Sequence, residues 1–165
     1  MVWKAKWAMA RIVFIIAAFA GAASGSILGY LLGPLYTWYF FNDLNFLKYR
    51  RDFFPIIVCG WRLVTEWIRN PAYRSIFAIP LTAPPMNGPN RSLVRVRTGW
   101  PENDGACNGC TRCCTLRFCP MLDAKRNRCK SYGSFFWRYF NCGRYPENAE
   151  QIRFYDCRKW EIGKK

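Results

Sequence analysis

The sequence predicts a small membrane protein with one N-terminal transmembrane helix, an interfacial amphipathic helix and a small irregular, α-rich Cys domain stabilised by metal. Three observations predict this fold class: an uncharged apolar run, an amphipathic stretch after it, and the placement of eight of the nine cysteines beyond residue 106. The predicted segments are 1–52, the transmembrane helix with an aromatic and basic flank; 53–70, the amphipathic helix; 71–105, a Pro-rich linker with a short strand; and 106–165, a Cys-rich metal-binding domain.

The composition excludes several classes of protein. The chain has 165 residues, a formal net charge of +15 and no His. Without His there is no Ser-His-Asp or Cys-His catalytic site, no His-ligated haem and no Cys/His zinc finger. Aromatic residues make up 18% of the chain, which argues against disorder. The sequence contains no paired carboxylates typical of hydrolases and no Gly-rich phosphate loop.

The apolar run extends from Ile12 to Leu32 without a charged side chain. About 20 apolar residues in a helix span the hydrocarbon core of a bilayer. Lys4, Lys6 and Arg11 precede the run, and aromatic residues between 36 and 41 follow it like an interfacial belt. A cleaved signal peptide is the alternative, but we expect an uncleaved, integral single-pass helix in a bacterial cytoplasmic membrane or its equivalent.

Small residues form a regular pattern inside this run. Gly21, Gly25, Gly29 and Gly33 recur every four residues. Residues at this spacing share one helix face, so we expect a side-chain-free ridge against which a helix of a partner subunit packs. The alternative is that Gly is simply frequent in transmembrane helices.

The middle of the chain predicts a helix at the membrane surface. From Ile57 onward the apolar residues fit one helix face, with Trp61 and Trp67 as interfacial anchors. A re-entrant segment is the alternative. Cys59 is expected to be a small buried apolar residue rather than a ligand. Prolines then interrupt regular structure, although Ser92–Thr98 alternates and predicts a short strand.

The C-terminal third contains the residues with metal chemistry. Thiolates two residues apart can converge on one metal ion or cluster, and three such Cys followed by Cys-Pro are similar to ferredoxin-type spacing. Adjacent Cys113 and Cys114 rarely serve one small site equally well. The candidate metal ligands are Cys107, Cys110, Cys113, Cys114, Cys119, Cys129, Cys142 and Cys157.

The region of roughly 105–160 resembles the YkgJ-type family of cysteine-cluster proteins, which are zinc- or iron-chelating domains. The resemblance rests on the core Cys107-x2-Cys110-x2-Cys113-Cys114, followed by Cys119-Pro120 and Cys129. The family usually has Gly before the third Cys of this core, where this chain has Arg112. The resemblance implies metal or iron–sulfur binding and no settled enzymatic activity.

Three interpretations of the cysteines remain open. An iron–sulfur cluster of the 4Fe–4S type is preferred, a structural zinc site comes second, and a disulfide framework comes third. Basic residues such as Arg112, Arg117 and Lys130 surround the cysteines and would favour thiolates. Ser134 predicts the start of a short helix over Phe135–Phe140, and Pro146 predicts a second helix that would include Cys157.

The predicted function is a membrane-anchored iron–sulfur subunit of a multi-subunit electron-transfer complex, without catalytic residues or activity of its own. A structural or assembly subunit stapled by zinc or disulfides is the alternative. The expected partners are other membrane subunits and anionic lipid, and no nucleic acid. An iron–sulfur centre is usually built in a reducing compartment, which places the Cys domain on the cytoplasmic side.

Overall fold

The computed structural model describes residues 2–24, 27–76, 81–100, 110–117 and 119–163. Eight helices and four short strands lie in these ranges. The helices are α1 (Val2–Ala23), α2 (Ile27–Leu31), α3 (Gly33–Phe41), α4 (Phe46–Arg69), α5 (Pro71–Ile76), α6 (Arg112–Leu116), α7 (Phe135–Tyr139) and α8 (Ala149–Phe154). The strands are β1 (Val94–Val96), β2 (Leu122–Asp123), β3 (Arg128–Cys129) and β4 (Trp160–Ile162).

The predicted transmembrane helix is wrong. Within the described ranges, no helix combines the length and the apolar character that crossing a bilayer requires. The uncharged run is instead divided among three elements, because α1 ends at Ala23, α2 covers Ile27–Leu31 and α3 begins at Gly33. The Ser24 hydroxyl accepts a hydrogen bond from the amide of Leu28, so it caps the start of α2. The predicted integral, single-pass localisation is therefore also wrong, and the cytoplasmic side predicted for the Cys domain has no membrane span in the described ranges to refer to.

The position of Arg11 explains why the basic residues before the apolar run did not indicate a membrane span. Arg11 was expected to flank a membrane span, but its side chain is fully buried, with 0% exposure. Its Nε donates to the carbonyl oxygen of Tyr139 at 2.7 Å, and its Nη1 donates to that of Leu81 at 2.7 Å. Burial lowers the pKa of Arg11, and nearby Arg144 lowers it further. The guanidinium thus ties α1 to α7 and to the segment after α5.

The residues expected to form an interfacial aromatic belt form the core. Tyr36, Tyr39, Phe40 and Phe41 of α3 are buried. The ring of Tyr39 stacks on Phe14 of α1 with centroids 3.9 Å apart. Further rings from α7 join the cluster: Phe135, Phe136, Tyr139 and the following Phe140. One aromatic core therefore joins the N-terminal helices to the Cys-rich segment, and pairs of this kind add to the free energy gained from burial alone.

The glycine ridge packs against aromatic side chains of the same chain. A Cβ at Gly21 would lie 2.9 Å from the Tyr36 hydroxyl, and one at Gly29 would lie 3.3 Å from the Phe53 ring. At Gly33 the ring of Phe46 is closer still, at 2.6 Å. Gly25 lies outside the described residues. Because glycine has no side chain, aromatic rings can pack directly against the backbone at these positions. Docking of a partner helix here stays a prediction.

Helix α4 is longer than the predicted 53–70 segment. It begins after Asn45, whose side chain accepts a hydrogen bond from the amide of Lys48 at 3.3 Å. Pro55 lies inside the helix without ending it. Phe53 of this helix is buried. The adjacent Asp52 forms an ion pair with Lys130 at 2.6 Å, which links α4 to the Cys-rich segment.

Two predicted elements of the C-terminal region are confirmed and one is wrong. The strand within Ser92–Thr98 is β1, which pairs antiparallel with β4. Ser134 begins α7 and accepts a hydrogen bond from the amide of Trp137. The second helix is shorter than expected because Asn148, rather than Pro146, caps α8, which ends at Phe154. Cys157 therefore lies beyond the helix that was expected to carry it.

Replacing Arg11 with Met should lower the free energy of unfolding by about 2–4 kcal/mol, because the carbonyls of Tyr139 and Leu81 would remain buried without a donor. Urea denaturation measures this change. Arg50→Met, at an exposed position of α4, removes the same charge and should change stability by less than about 0.5 kcal/mol. Equal stability of the two variants would contradict a stabilising role for the Arg11 hydrogen bonds.

Two glycine-to-alanine variants should act in opposite directions. Gly33→Ala brings a methyl group against the Phe46 ring and should destabilise the protein by about 1–3 kcal/mol. Gly60→Ala meets nothing within 4 Å and should stabilise it by up to about 1 kcal/mol through helix propensity. Thermal unfolding compares the two, and a stabilising Gly33→Ala would show that α3 and α4 do not pack as described.

Candidate functional site

A cavity of about 840 Å³ in the C-terminal region brings most of the predicted ligands together. Its wall includes side chains of α6, the β2–β3 hairpin and the turn after α7. The cysteines that line it are Cys110, Cys113, Cys114, Cys119, Cys129 and Cys142. These residues are spread over more than thirty positions of the chain, so the fold, and not local spacing alone, gathers the thiols.

The first part of the wall is a compact turn around α6. Cys113 and Cys114 lie next to each other on this short helix. The amide of Arg117 donates to the carbonyl of Cys113 at 3.1 Å, and the amide of Cys119 donates to that of Cys114 at 2.9 Å. These bonds fold the chain back, so that the Cys119 sulfur returns beside the adjacent pair.

Two further thiols, Cys129 and Cys142, come from separate elements. In the β2–β3 hairpin Leu122 pairs with Cys129, and the amide of Leu122 donates to the carbonyl of Cys119 at 3.2 Å. Cys142 lies in a 3-10 turn over Asn141–Gly143. A Cβ at Gly143 would lie 2.6 Å from the carbonyl oxygen of Trp137, so only glycine fits where this turn crosses the backbone.

Cys113, Cys114 and Cys119 form a hydrogen-bonded thiol group. Cys114 interacts with the sulfurs of both neighbours. Its hydrogen bond lowers the pKa of Cys113 to about 6 and that of Cys119 to about 7, with the positive charge of Arg117 contributing to both. The same two hydrogen bonds, together with burial, raise the pKa of Cys114. Cys114 is thus favoured as the thiol, and Cys113 and Cys119 are favoured as thiolates.

Arg117 places a positive charge beside these sulfurs. Its Nε donates to the hydroxyl of Tyr155, and its guanidinium carbon lies 4.9 Å from the centre of the Tyr155 ring. Burial disfavours its charge, but interactions with Tyr155 and Cys142 outweigh burial and raise the pKa of Arg117. The guanidinium therefore remains charged and favours the thiolate forms around it.

Two thiols of the wall, Cys129 and Cys142, are held neutral by their surroundings. Burial raises the pKa of Cys129 to about 11 and that of Cys142 to about 12. The cavity therefore combines two acidic thiols with two that need a further positive charge, such as a metal ion, before they ionise near neutral pH.

Cys59 lies near this group from the opposite side. A second cavity, of about 270 Å³, separates α1 and α4 and is lined by Cys59 together with Cys119 and Cys142. Burial raises the pKa of Cys59 to about 11, as expected for a small apolar residue, and the charge of Cys119 raises it further. Its proximity to the thiol group comes from the packing of α4 on the Cys-rich segment, which the sequence did not indicate.

The other two predicted ligands stand apart. Cys157 does not line the larger cavity; its sulfur forms a hydrogen bond with Tyr145, which does. Cys107 lies outside the described residues. Of the basic residues expected around the site, Arg117 and Lys130 line the cavity, whereas Arg112 forms an ion pair with Asp156 at 2.6 Å.

The cysteines of the described ranges are free thiols, without a disulfide between them. As these side chains are placed, no three or more Cys, Asp, Glu or His residues in the described ranges form a group that could hold a metal ion. The structure thus supplies the donors in one cavity without a closed ligand set.

Comparison with known proteins adds no relative. No protein-family model, no curated protein and no solved structure matches the chain. The resemblance to the YkgJ-type family therefore rests on the cysteine spacing and stays a prediction.

In reduced, metal-free protein, alkylation should follow the order of the thiol pKa values, because the thiolate is the nucleophile. Cys113 and Cys119 have lowered pKa values, so their alkylation by iodoacetamide should rise with pH between about 6 and 7 and then level off. Cys142, whose pKa burial raises, should still be gaining reactivity at a pH where the other two have levelled off. Peptide mass spectrometry at each pH measures these rates.

Urea-unfolded protein is the control, since its thiols should share one ordinary profile. Identical profiles for Cys113 and Cys142 in the folded protein would contradict the hydrogen-bonded thiol group.

Proposed function

We propose that the Cys-rich segment binds an iron–sulfur cluster through its thiolates and that the protein serves as an electron-transfer subunit of a larger complex. The observation that carries the proposal is the convergence of six cysteines on one cavity around the charged Arg117. The membrane anchor that the sequence predicted is not part of this proposal.

The donor set fits an iron–sulfur cluster in its chemistry. Such clusters are held by four Cys thiolates, and more than four thiols line the cavity. The described thiols are free to act as ligands because none is consumed in a disulfide. The open arrangement of the sulfurs is compatible with a site that forms together with its metal, since metal binding and folding are coupled in small thiolate domains.

The ligands we assign first are Cys110, Cys113 and Cys119. Cys107 is the fourth by its position in the motif, and Cys129 and Cys142 are the alternatives that the cavity offers. The lowered pKa values of Cys113 and Cys119 favour the form that binds metal. Cys114 is assigned to positioning, because its sulfur is hydrogen-bonded to both of these sulfurs.

The surroundings suit a centre that accepts an electron. An iron–sulfur cluster supplies one-electron transfer, and nearby positive charge and hydrogen bonds to sulfur stabilise its reduced form. Arg117 supplies that charge from within the wall. Phe136 lines both cavities and Phe140 lines the smaller one, so these rings keep water from the sulfurs on the side of the helices. The electron donor and acceptor would be other subunits, as the sequence predicted.

A structural zinc site is the second candidate. Zinc takes four thiolates in the same kind of turn, and a site of this kind stabilises a small module without redox chemistry. The short helices and two-residue strands around the cavity favour a stabilising metal, because so little regular structure gives a limited core.

Anaerobically purified protein should contain iron and inorganic sulfide, with charge-transfer absorption in the visible region. Cys110→Ser, Cys113→Ser and Cys119→Ser should each lose most of this iron and absorption. Cys59→Ser and Cys157→Ser are matched controls outside the larger cavity, and they should keep both.

Stoichiometric zinc without sulfide would replace the iron–sulfur assignment with the zinc site. Protein without bound metal, or with its thiols paired as disulfides, would contradict both metal assignments.

A further inference from the structure

Helix α4 has an exposed face that is apolar. Leu47, Phe54, Val58 and Trp61 recur at spacings of three, four and seven residues, which places them along one stripe. Phe54 is 71% exposed and Val58 is 49% exposed. The opposite face of the helix packs inward through Phe53, so this stripe plays no part in the core.

Helix α1 has a similar exposed stripe, with no charged residue in it. Its members are Met9, Ile12, Val13, Ile16 and Phe19. The two stripes meet where the ring of Phe19 packs edge-on against Trp61, with centroids 6.4 Å apart. We call the two stripes together the α1–α4 face. A surface of this kind marks a binding site for a protein or a lipid membrane.

The charges beside the α1–α4 face are basic. Arg51, Arg62 and Arg69 are exposed and follow the edge of the α4 stripe at helical spacing. The acids of α4, Asp52 and Glu66, lie off the stripe and are half-buried, and Asp52 is paired with Lys130. Exposed Trp61 adds a side chain that favours the boundary between headgroups and acyl chains.

From this arrangement we propose that the α1–α4 face binds the surface of an anionic lipid bilayer. Apolar side chains enter the boundary layer, and arginines at the edge contact anionic headgroups. A helix that lies in the plane of the bilayer needs no spanning length. The proposal is independent of the thiol cluster, because none of the face's side chains named above, apart from Phe19 and Trp61 at the rim of the smaller cavity, lines either cavity.

Flotation of the purified full-length protein with vesicles tests this surface. The protein should float with vesicles of phosphatidylcholine and phosphatidylglycerol and much less with phosphatidylcholine alone. Val58→Glu should weaken binding to the anionic vesicles by at least about tenfold, because it places a carboxylate in the apolar stripe. Leu93→Glu is the matched control, because Leu93 is 48% exposed on another part of the molecule. This variant should bind the vesicles as the wild type does.

A second pair of variants tests the charge contribution. Arg51→Gln should weaken binding to anionic vesicles about fivefold, and this loss should disappear at high salt. Arg158→Gln removes the same charge from an exposed position in the C-terminal region and should leave binding unchanged. Circular dichroism establishes that each variant is folded, and Phe54→Ser replaces Val58→Glu if the latter fails to fold.

The proposal is overturned if the wild type does not float, if neutral and anionic vesicles bind it equally, or if Val58→Glu and Leu93→Glu behave alike. A dimer in light scattering that Val58→Glu dissociates, without flotation of the wild type, would assign the face to a second copy of the chain instead.

Discussion

The buried guanidinium of Arg11 is the interaction on which the rest of the structure depends. A charged side chain with 0% exposure needs hydrogen bonds to replace the water it has lost, and here Nε and Nη1 donate to the carbonyls of Tyr139 and Leu81, while Nη2 has no partner within the described residues. Those two acceptors lie far along the chain, after α5 and at the end of α7. Because the charge must keep both, α1 is held against the Cys-rich segment, and Phe14 is brought into the aromatic core.

The thiol-lined cavity is a consequence of this arrangement. Phe136 and Phe140 pack between the helices and the sulfurs, and Cys142 follows directly in the turn that Gly143 permits. The short elements that carry the cysteines have little core of their own. Their positions depend on α3 and α4, through the rings of α7 and the ion pair of Asp52 with Lys130. The N-terminal helices therefore support the segments that form the candidate site.

Local signals in the sequence predicted local structure well. Ser134 predicted the start of α7, the alternation at Ser92–Thr98 predicted β1, and the amphipathic pattern predicted most of α4. Of the eight cysteines that spacing predicted as ligands, six line one cavity, and their role as ligands stays a prediction. Cys157 departed from expectation because α8 ends before it, at Phe154.

The predicted membrane span was wrong because its flanking residues pack against parts of the chain that are distant in sequence. An uncharged run between basic and aromatic flanks is the ordinary pattern of a membrane span. Here Arg11 of the basic flank is buried and bonded to distant carbonyls, and most of the aromatic flank lies in the core of the protein. Arg11 bonds to carbonyls 70 and 128 residues further along the chain, and Tyr39 contacts both Phe14 of α1 and Phe135 of α7. The approach of Cys59 to Cys119 was missed for the same reason, since only the packing of α4 brings them near each other.

The central claim is that thiolates alone gather around one inorganic centre in this cavity. X-ray absorption at the metal edge of the anaerobically purified protein tests it most directly, because the scattering of the nearest shell identifies the ligand atoms. The account predicts sulfur neighbours at about 2.3 Å with iron at a further distance, as in a cluster. A nearest shell of oxygen or nitrogen would contradict it.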